Sequence, residues 1–340
     1  MPTTVNPQTA TIGSPSNFWL YSSTTGFDLT HPPTPTSPPI ETRLTLSTTS
    51  KPITLDPAKT ALVIIDMQNF FLSPAFGRDP KGAGHKAMGQ LVEHAIPAAR
   101  KAGLRIVWVN WGLTEEEIES MPPAIQRTFG FEATGSGGGV VPGGRDGGGD
   151  AVFEMGSDSV GLDRDGVERK VIVEGGKDAR VYKGLGSWCG ILHDPVKGGE
   201  VDAGRLLMRD QWNAGLYGPL DELYEEGRRL EVRTDIWIHK NRMSALWGPS
   251  TRLEEFLQQE GIRSLLFTGV NTDQCVGGTL QDAFSKGYDC ILLDDGVGTS
   301  SPEFAQSCIE YNAGKSWGFV SSCEKLARGV EEMNRANGGQ

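Results

Sequence analysis

The sequence predicts an α/β protein, a doubly wound and mostly parallel sheet with helices on both faces, in three layers. Two observations lead there. The runs at 61–65, 104–111 and 262–267 are short and mostly apolar, the first of them continuous, the pattern of strands buried on both faces. Between such runs lie longer stretches with helical apolar spacing, and strand alternating with helix builds a parallel sheet through crossover connections.

Taken in order, residues 1–50 are rich in Thr, Ser and Pro and read as an N-terminal arm. The arm contains Asn17-Phe-Trp-Leu-Tyr21, too apolar to stay in water, so it is expected to be tethered to its own domain or to cross to a neighbouring subunit. Residues 51–334 read as one domain. The run 61–65 is a strand ending at Asp66. Residues 83–101 place Met88, Leu91, Val92, Ala95 and Ala99 on one stripe, a helix, and Gly103 closes it. The run 104–111 is the second strand. Thr114 and Glu117 form a capping-box pair that opens a short helix.

The tract 130–150 is so rich in glycine, with no lysine beside it, that it reads as a flexible loop and not as a phosphate cradle. The whole of about 131–205 is expected to be an insertion. Beyond it, 222–229 is a short helix, 235–239 a strand ending at Lys240, and 251–260 a helix closed by Gly261. The strand 262–267 leads into Thr268-Gly-Val-Asn-Thr-Asp-Gln-Cys275 and a helix at 280–287. A strand at 288–293 and helices at 303–313 and 322–334 complete the pattern.

The totals exclude several classes. A net charge of −11 argues against a nucleic-acid surface. No apolar stretch approaches membrane-spanning length, and residues 1–16 carry no hydrophobic signal region. Cys189, Cys275, Cys290, Cys308 and Cys323 are odd in number and lack metal-type spacing, which predicts reduced thiols in a cytoplasmic protein. His31, His85, His94, His193 and His239 show no zinc spacing. Gly314-Lys-Ser316 lacks the upstream glycine of a phosphate-binding loop.

In doubly wound sheets, ligands bind beyond the C-terminal ends of strands. Asp66, Lys240 and Cys275 each lie at or just past such an end, so the fold is expected to gather them. A thiol at a strand-to-helix junction gains thiolate character from free N–H groups and the helix dipole. A carboxylate can take its proton, a lysine can hold that carboxylate charged, and N–H groups near Asn271 and Cys275 can receive an oxyanion. Such a set predicts attack on a carbonyl, a thioester and hydrolysis. Gln68, Phe71, Asn110 and Trp111 follow strand ends and are candidate pocket walls, although Phe71 and Trp111 fit plain core equally well.

The runs Thr60-Ala-Leu-Val-Ile-Ile-Asp66-Met-Gln-Asn69, Lys240 with Ser244-Ala-Leu246, and Gly269-Val-Asn-Thr-Asp-Gln-Cys275-Val resemble, in order, the motifs of the isochorismatase-like cysteine hydrolases. Amidases of N-carbamoylsarcosine, biuret and ureidoacrylate belong to that family. The resemblance covers roughly 55–130 and 210–330. It implies an Asp66-Lys240-Cys275 triad and a cis peptide at Val270–Asn271 that turns the Asn271 N–H toward the substrate oxygen. It also implies a homo-oligomer, a dimer or tetramer, acting on a small molecule. Nicotinamidases of the family carry a histidine metal site after the second strand. Here that region reads Trp108-Val-Asn-Trp-Gly, so neither metal nor other cofactor is expected. Cys275 favours cleavage of a small linear amide or ureido C–N bond. The alternatives are vinyl-ether hydrolysis of an isochorismate-like acid and a catalytically silent binding protein.

Overall fold

A computed structural model describes residues 7–31, 40–133, 160–168, 171–172, 178–179 and 183–337. The chain divides into two compact units, one of residues 1–72, 79–110 and 216–340, the other of 73–78 and 111–215.

The first unit begins with strands β1 (Thr9–Ser14), β2 (Asn17–Ser22), β3 (Gly26–Asp28), β4 (Leu44–Leu46) and β5 (Ile53–Leu55). They form one sheet in the order β1-β2-β3-β5-β4. The Thr/Ser/Pro composition predicts an arm outside the core, yet Leu29, Leu44 and Leu46 are core members. The physical reason is that three apolar side chains, each surrounded by polar neighbours, suffice to seat short strands, and composition averages them away. Trp19 and Phe27 pack on Phe319, with ring centres 5.8 and 5.5 Å apart.

The main sheet follows: β6 (Thr60–Ile65), β7 (Arg105–Trp111), β8 (Ile236–Lys240), β9 (Ser264–Val270), β10 (Asp289–Gly298) and β11 (Gly318–Ser321). Their order is β8-β7-β6-β9-β10-β11, all parallel as the sequence predicts. Every residue of β6 and β9 is buried, which is why these two runs show no polar alternation. Leu62, Ile64, Ile106 and Trp108 of β6 and β7 share a core with Leu326, Val330 and Met333 of the C-terminal helix Cys323–Asn337. Burying each such side chain contributes about 1.5–3 kcal/mol.

The helix expected at 83–101 is three pieces: α1 (Ala83–Gln90), a π-turn at Leu91–Ala95 and α2 (Ile96–Ala102). Pro97 has no N–H to give the preceding turn, and the widened turn absorbs the missing bond. Gly103 closes α2 at φ 72°, as expected. Helices α3 (Leu220–Gly227), α4 (Arg252–Gln259), α5 (Gly277–Lys286) and α6 (Glu303–Asn312) complete the crossovers. The strand expected at 288–293 runs on to Gly298.

In the second unit, Thr114 and Glu117 make the expected capping box on Glu115–Glu119. A hairpin pairs Ile191–His193 with Glu200–Asp202. Buried Asn213 ties the following loop through Ala203 O, Arg205 O and Leu207 N. The glycine-rich tract at 134–150 lies outside the described residues.

Candidate active site

The winding reverses between β6 and β9: β7 and β8 extend one way from β6, β10 and β11 the other way from β9. At such a reversal the connections leave in opposite directions and open a crevice at the carboxyl ends. Asp66 directly follows β6, and Cys275 lies five residues past β9. Lys240 ends β8, two strands from β6, and a lysine stem is long enough to reach across β7.

The three side chains meet in the first unit. Lys240 Nζ lies 3.0 Å from Asp66 Oδ2 and 3.4 Å from Cys275 Sγ, and it donates to Arg242 O at 3.2 Å. Asp66 is fully buried and Cys275 is 6% exposed, so charge interacts here with little solvent screening. Asp66 holds φ 54°, uncommon outside glycine, and donates its N–H to Val109 O at 2.9 Å.

The cysteine segment is positioned by backbone contacts more than by side chains. Gly269, at φ 109°, runs so close to β6 that a Cβ there would stand 2.0 Å from Ile65 O. Thr268 donates from Oγ1 to Val63 O at 2.9 Å. The Val270–Asn271 peptide is cis. Asn271 O accepts from Gln274 N at 3.0 Å and Val276 N at 3.2 Å. The sequence places Cys275 at a strand-to-helix junction; there it lies in a π-turn, Thr272–Val276, that feeds α5.

Two hydroxyls escaped the sequence reading. Thr279 donates to Cys275 O at 2.7 Å and accepts from Ala245 N at 3.2 Å, linking the cysteine turn to the loop after Lys240. Thr299 donates to Asp273 Oδ1 at 2.6 Å. Thr279 had a legible signal, a hydroxyl one turn after Cys275; Thr299 had none, because it comes from the far end of β10.

The other thiols differ from Cys275 in setting. Burial pushes Cys189 up to about 12 and raises Cys290 and Cys323 further, while Cys308 is exposed. Of the candidate pocket walls, Gln68 is fully buried and its backbone bridges to Leu216. Phe71 is half-buried against the core and meets Phe70 edge-on at 5.0 Å. Asn110 is fully buried, and neither its Nδ2 nor its Oδ1 has a hydrogen-bond partner among the described residues. Trp111 is buried in the second unit, edge-on to Phe129 at 5.0 Å, a packing role. His239, next to Lys240 on β8, accepts from Trp237 Nε1 at 3.2 Å. Among the described residues, no three His, Cys, Asp or Glu side chains gather as a metal site would require.

Residues 207–321 match the family model described as the isochorismatase domain. A cysteine hydrolase from Pseudomonas syringae pv. phaseolicola 1448A superposes with a TM-score of 0.50 at 14% identity, covering 88% of this chain and 99% of that one. A nicotinamidase from Bacillus subtilis gives 0.46 at 17%, covering 78% and 99%. An isochorismatase family protein from Desulfovibrio vulgaris subsp. vulgaris str. Hildenborough gives 0.43 at 17%, covering 82% and 98%. At these identities the likeness to the Pseudomonas enzyme is one of fold.

Proposed function

We propose, from the match of residues 207–321 to the isochorismatase domain, that the chain is a cysteine-dependent hydrolase of a small linear amide or ureido C–N bond. One observation supports this reading above others: a single ammonium, Lys240 Nζ, lies within 3.4 Å of both a buried carboxylate and a nearly buried thiol at the sheet's reversal point.

In this reading Asp66 takes the proton of Cys275, and the sulfur attacks the carbonyl carbon. The carbonyl electron pair moves onto oxygen, which the N–H groups of Asn271 and Cys275 receive. Collapse breaks the C–N bond, and Asp66 returns its proton to the leaving nitrogen. A thioester remains on Cys275. Water then attacks it, giving a proton to Asp66; the C–S bond breaks, and the proton returns to sulfur. Lys240 keeps Asp66 ionised and steadies the thiolate. Gln68, Phe71 and Asn110 wall the substrate site.

The test is turnover of a panel of linear amides and ureido compounds, with isochorismate alongside, by wild-type and Cys275→Ala chains. Ammonia or amine release by the wild type alone is the expected result. Full activity in Cys275→Ala ends the reading. Pyruvate from isochorismate, with no amide cleaved, replaces it by vinyl-ether hydrolysis.

A further inference from the structure

We propose, on the reading above that Cys275 attacks beside Lys240, that Thr279 is a positioning residue: its hydroxyl sets the spacing of those two side chains by tying the segment after each to α5. Lys240 ends β8 and Cys275 follows β9, and β7 and β6 stand between those strands. No strand pairing joins them, yet Lys240 Nζ and Cys275 Sγ are 3.4 Å apart. A contact outside the sheet has to hold that distance.

The loop after Lys240 supplies no frame of its own. Among the described residues, 243–250 make no backbone-to-backbone hydrogen bond. Ser244, Ala245 and Leu246 are nevertheless buried, and a buried N–H needs a partner. Side chains provide it. Leu246 N donates to Ser244 Oγ at 3.0 Å, Ala245 N donates to Thr279 Oγ1 at 3.2 Å, and Gly248 O accepts from Lys286 Nζ at 2.8 Å. The first bond is local. The other two come from α5, the helix that follows the cysteine turn.

Thr279 acts on both sides at once. A hydroxyl carries one hydrogen and two lone pairs. Oγ1 donates to Cys275 O at 2.7 Å while it accepts from Ala245 N. The residue is fully buried, so bulk solvent does not compete for either bond, and its branched Cβ restricts the rotamer that aims the oxygen. A bond from a helical hydroxyl to the carbonyl four residues back is ordinary by itself. Ser285 makes one to Gln281 O at 2.9 Å and is bonded to no other segment. The second bond sets Thr279 apart. Lys240 Nζ also donates to Arg242 O at 3.2 Å, so a loop that slips from α5 draws the ammonium away from the sulfur. The same contact gives Ser244-Ala-Leu246 a task, since that turn presents Ala245 N to α5.

Thr279→Val keeps the shape and removes both bonds, Thr279→Ser keeps both, and Ser285→Ala is the control. Iodoacetamide labelling at pH 7, read by peptide mapping, needs no substrate. Thr279→Val is expected to slow labelling of Cys275 at least about fivefold and to leave Cys308 unchanged. On whichever amide the wild type cleaves, kcat is expected to fall at least about tenfold, with KM within about twofold. Thr279→Ser should restore both readouts, and Ser285→Ala should move neither. Thr279→Ala, which lacks the same bonds, serves as the second variant if the valine chain does not fold. Wild-type labelling and kcat in the folded Val or Ala variant overturn the proposal. So does a Thr279→Ser chain as slow as Thr279→Val, or a loss that only follows the unfolded fraction seen by circular dichroism. A wild type that cleaves no amide defeats the amidase reading, and the labelling comparison still decides the role of Thr279.

Discussion

Lys240 and Asp66 form an ion pair, Nζ to Oδ2 at 3.0 Å, with side chains 2% and 0% exposed. A pair so far from water is held in place by mutual need: neither charge has bulk solvent to turn to. Removing one partner of a buried pair typically costs ~3–5 kcal/mol. Lys240→Met is therefore expected to lose both turnover and about that much stability in urea unfolding. The double variant with Asp66→Asn should regain most of the stability and none of the turnover. A single variant as stable as the wild type contradicts this account.

Thiol reactivity separates a catalytic cysteine from an inert one. Cys189, Cys290 and Cys323 are raised by burial and are expected to resist iodoacetamide at neutral pH. Cys275, beside Lys240, is expected to label first, with exposed Cys308 its competitor. Lys240→Met should erase the preference for Cys275 and leave Cys308 unchanged. Peptide mapping reads both sites; uniform labelling of the wild type points to a silent binding protein.

Gly269 is required by a contact, not by a turn. A methyl group there meets Ile65 O at 2.0 Å while φ is 109°, so Gly269→Ala is expected to cost at least about 3 kcal/mol. Gly103 has a similar φ of 72° and nothing within 4 Å, and Gly103→Ala is expected to cost only about 1 kcal/mol. Thermal or urea unfolding of the two variants gives the comparison.

The amide of Asn110 is buried without a protein partner among the described residues, a placement that costs stability unless a ligand meets it. Asn110→Leu is expected to keep or raise the melting temperature and to lower kcat/KM at least about tenfold. A fall in stability with kcat/KM untouched assigns Asn110 to the fold instead.

Burial alone would raise the Asp28 carboxyl, but hydrogen bonds from Thr30 and the ion pair with Arg43 outweigh it and hold it below its ordinary 3.8. A carboxyl lowered on folding contributes stability above its unfolded value and loses it as pH falls through the folded one. Arg43 is half-exposed, so Asp28→Asn is expected to cost no more than about 1 kcal/mol at neutral pH. That difference should persist down to about pH 4 and vanish below it. A difference that grows in acid reverses the sign and refutes the assignment.

The fold was legible because 61–65 is apolar without interruption and 262–267 is apolar apart from Arg263 and Ser264, and burial on both faces suits such runs. The N-terminal strands were not: Leu29, Leu44 and Leu46 are scattered among Thr, Ser and Pro, and their burial depends on a surface that other parts of the chain provide. The π-turns at Leu91–Ala95 and Thr272–Val276 were also hidden. Pro97 hints at the first, while the second depends on how the Asn271 carbonyl is shared.

By itself, the sequence determined which residues lie at or just past strand ends: Asp66, Lys240 and Cys275 are set there by local hydrophobic pattern. Only the tertiary structure decided that β6 and β9 are neighbours at the reversal and that the Lys240 stem spans β7. It likewise decided that Thr279 joins the cysteine turn to the loop after Lys240. Pattern along a chain reflects whether each side chain meets water or protein. Distance between far segments is fixed by strand order, and strand order comes from the packing of the whole sheet.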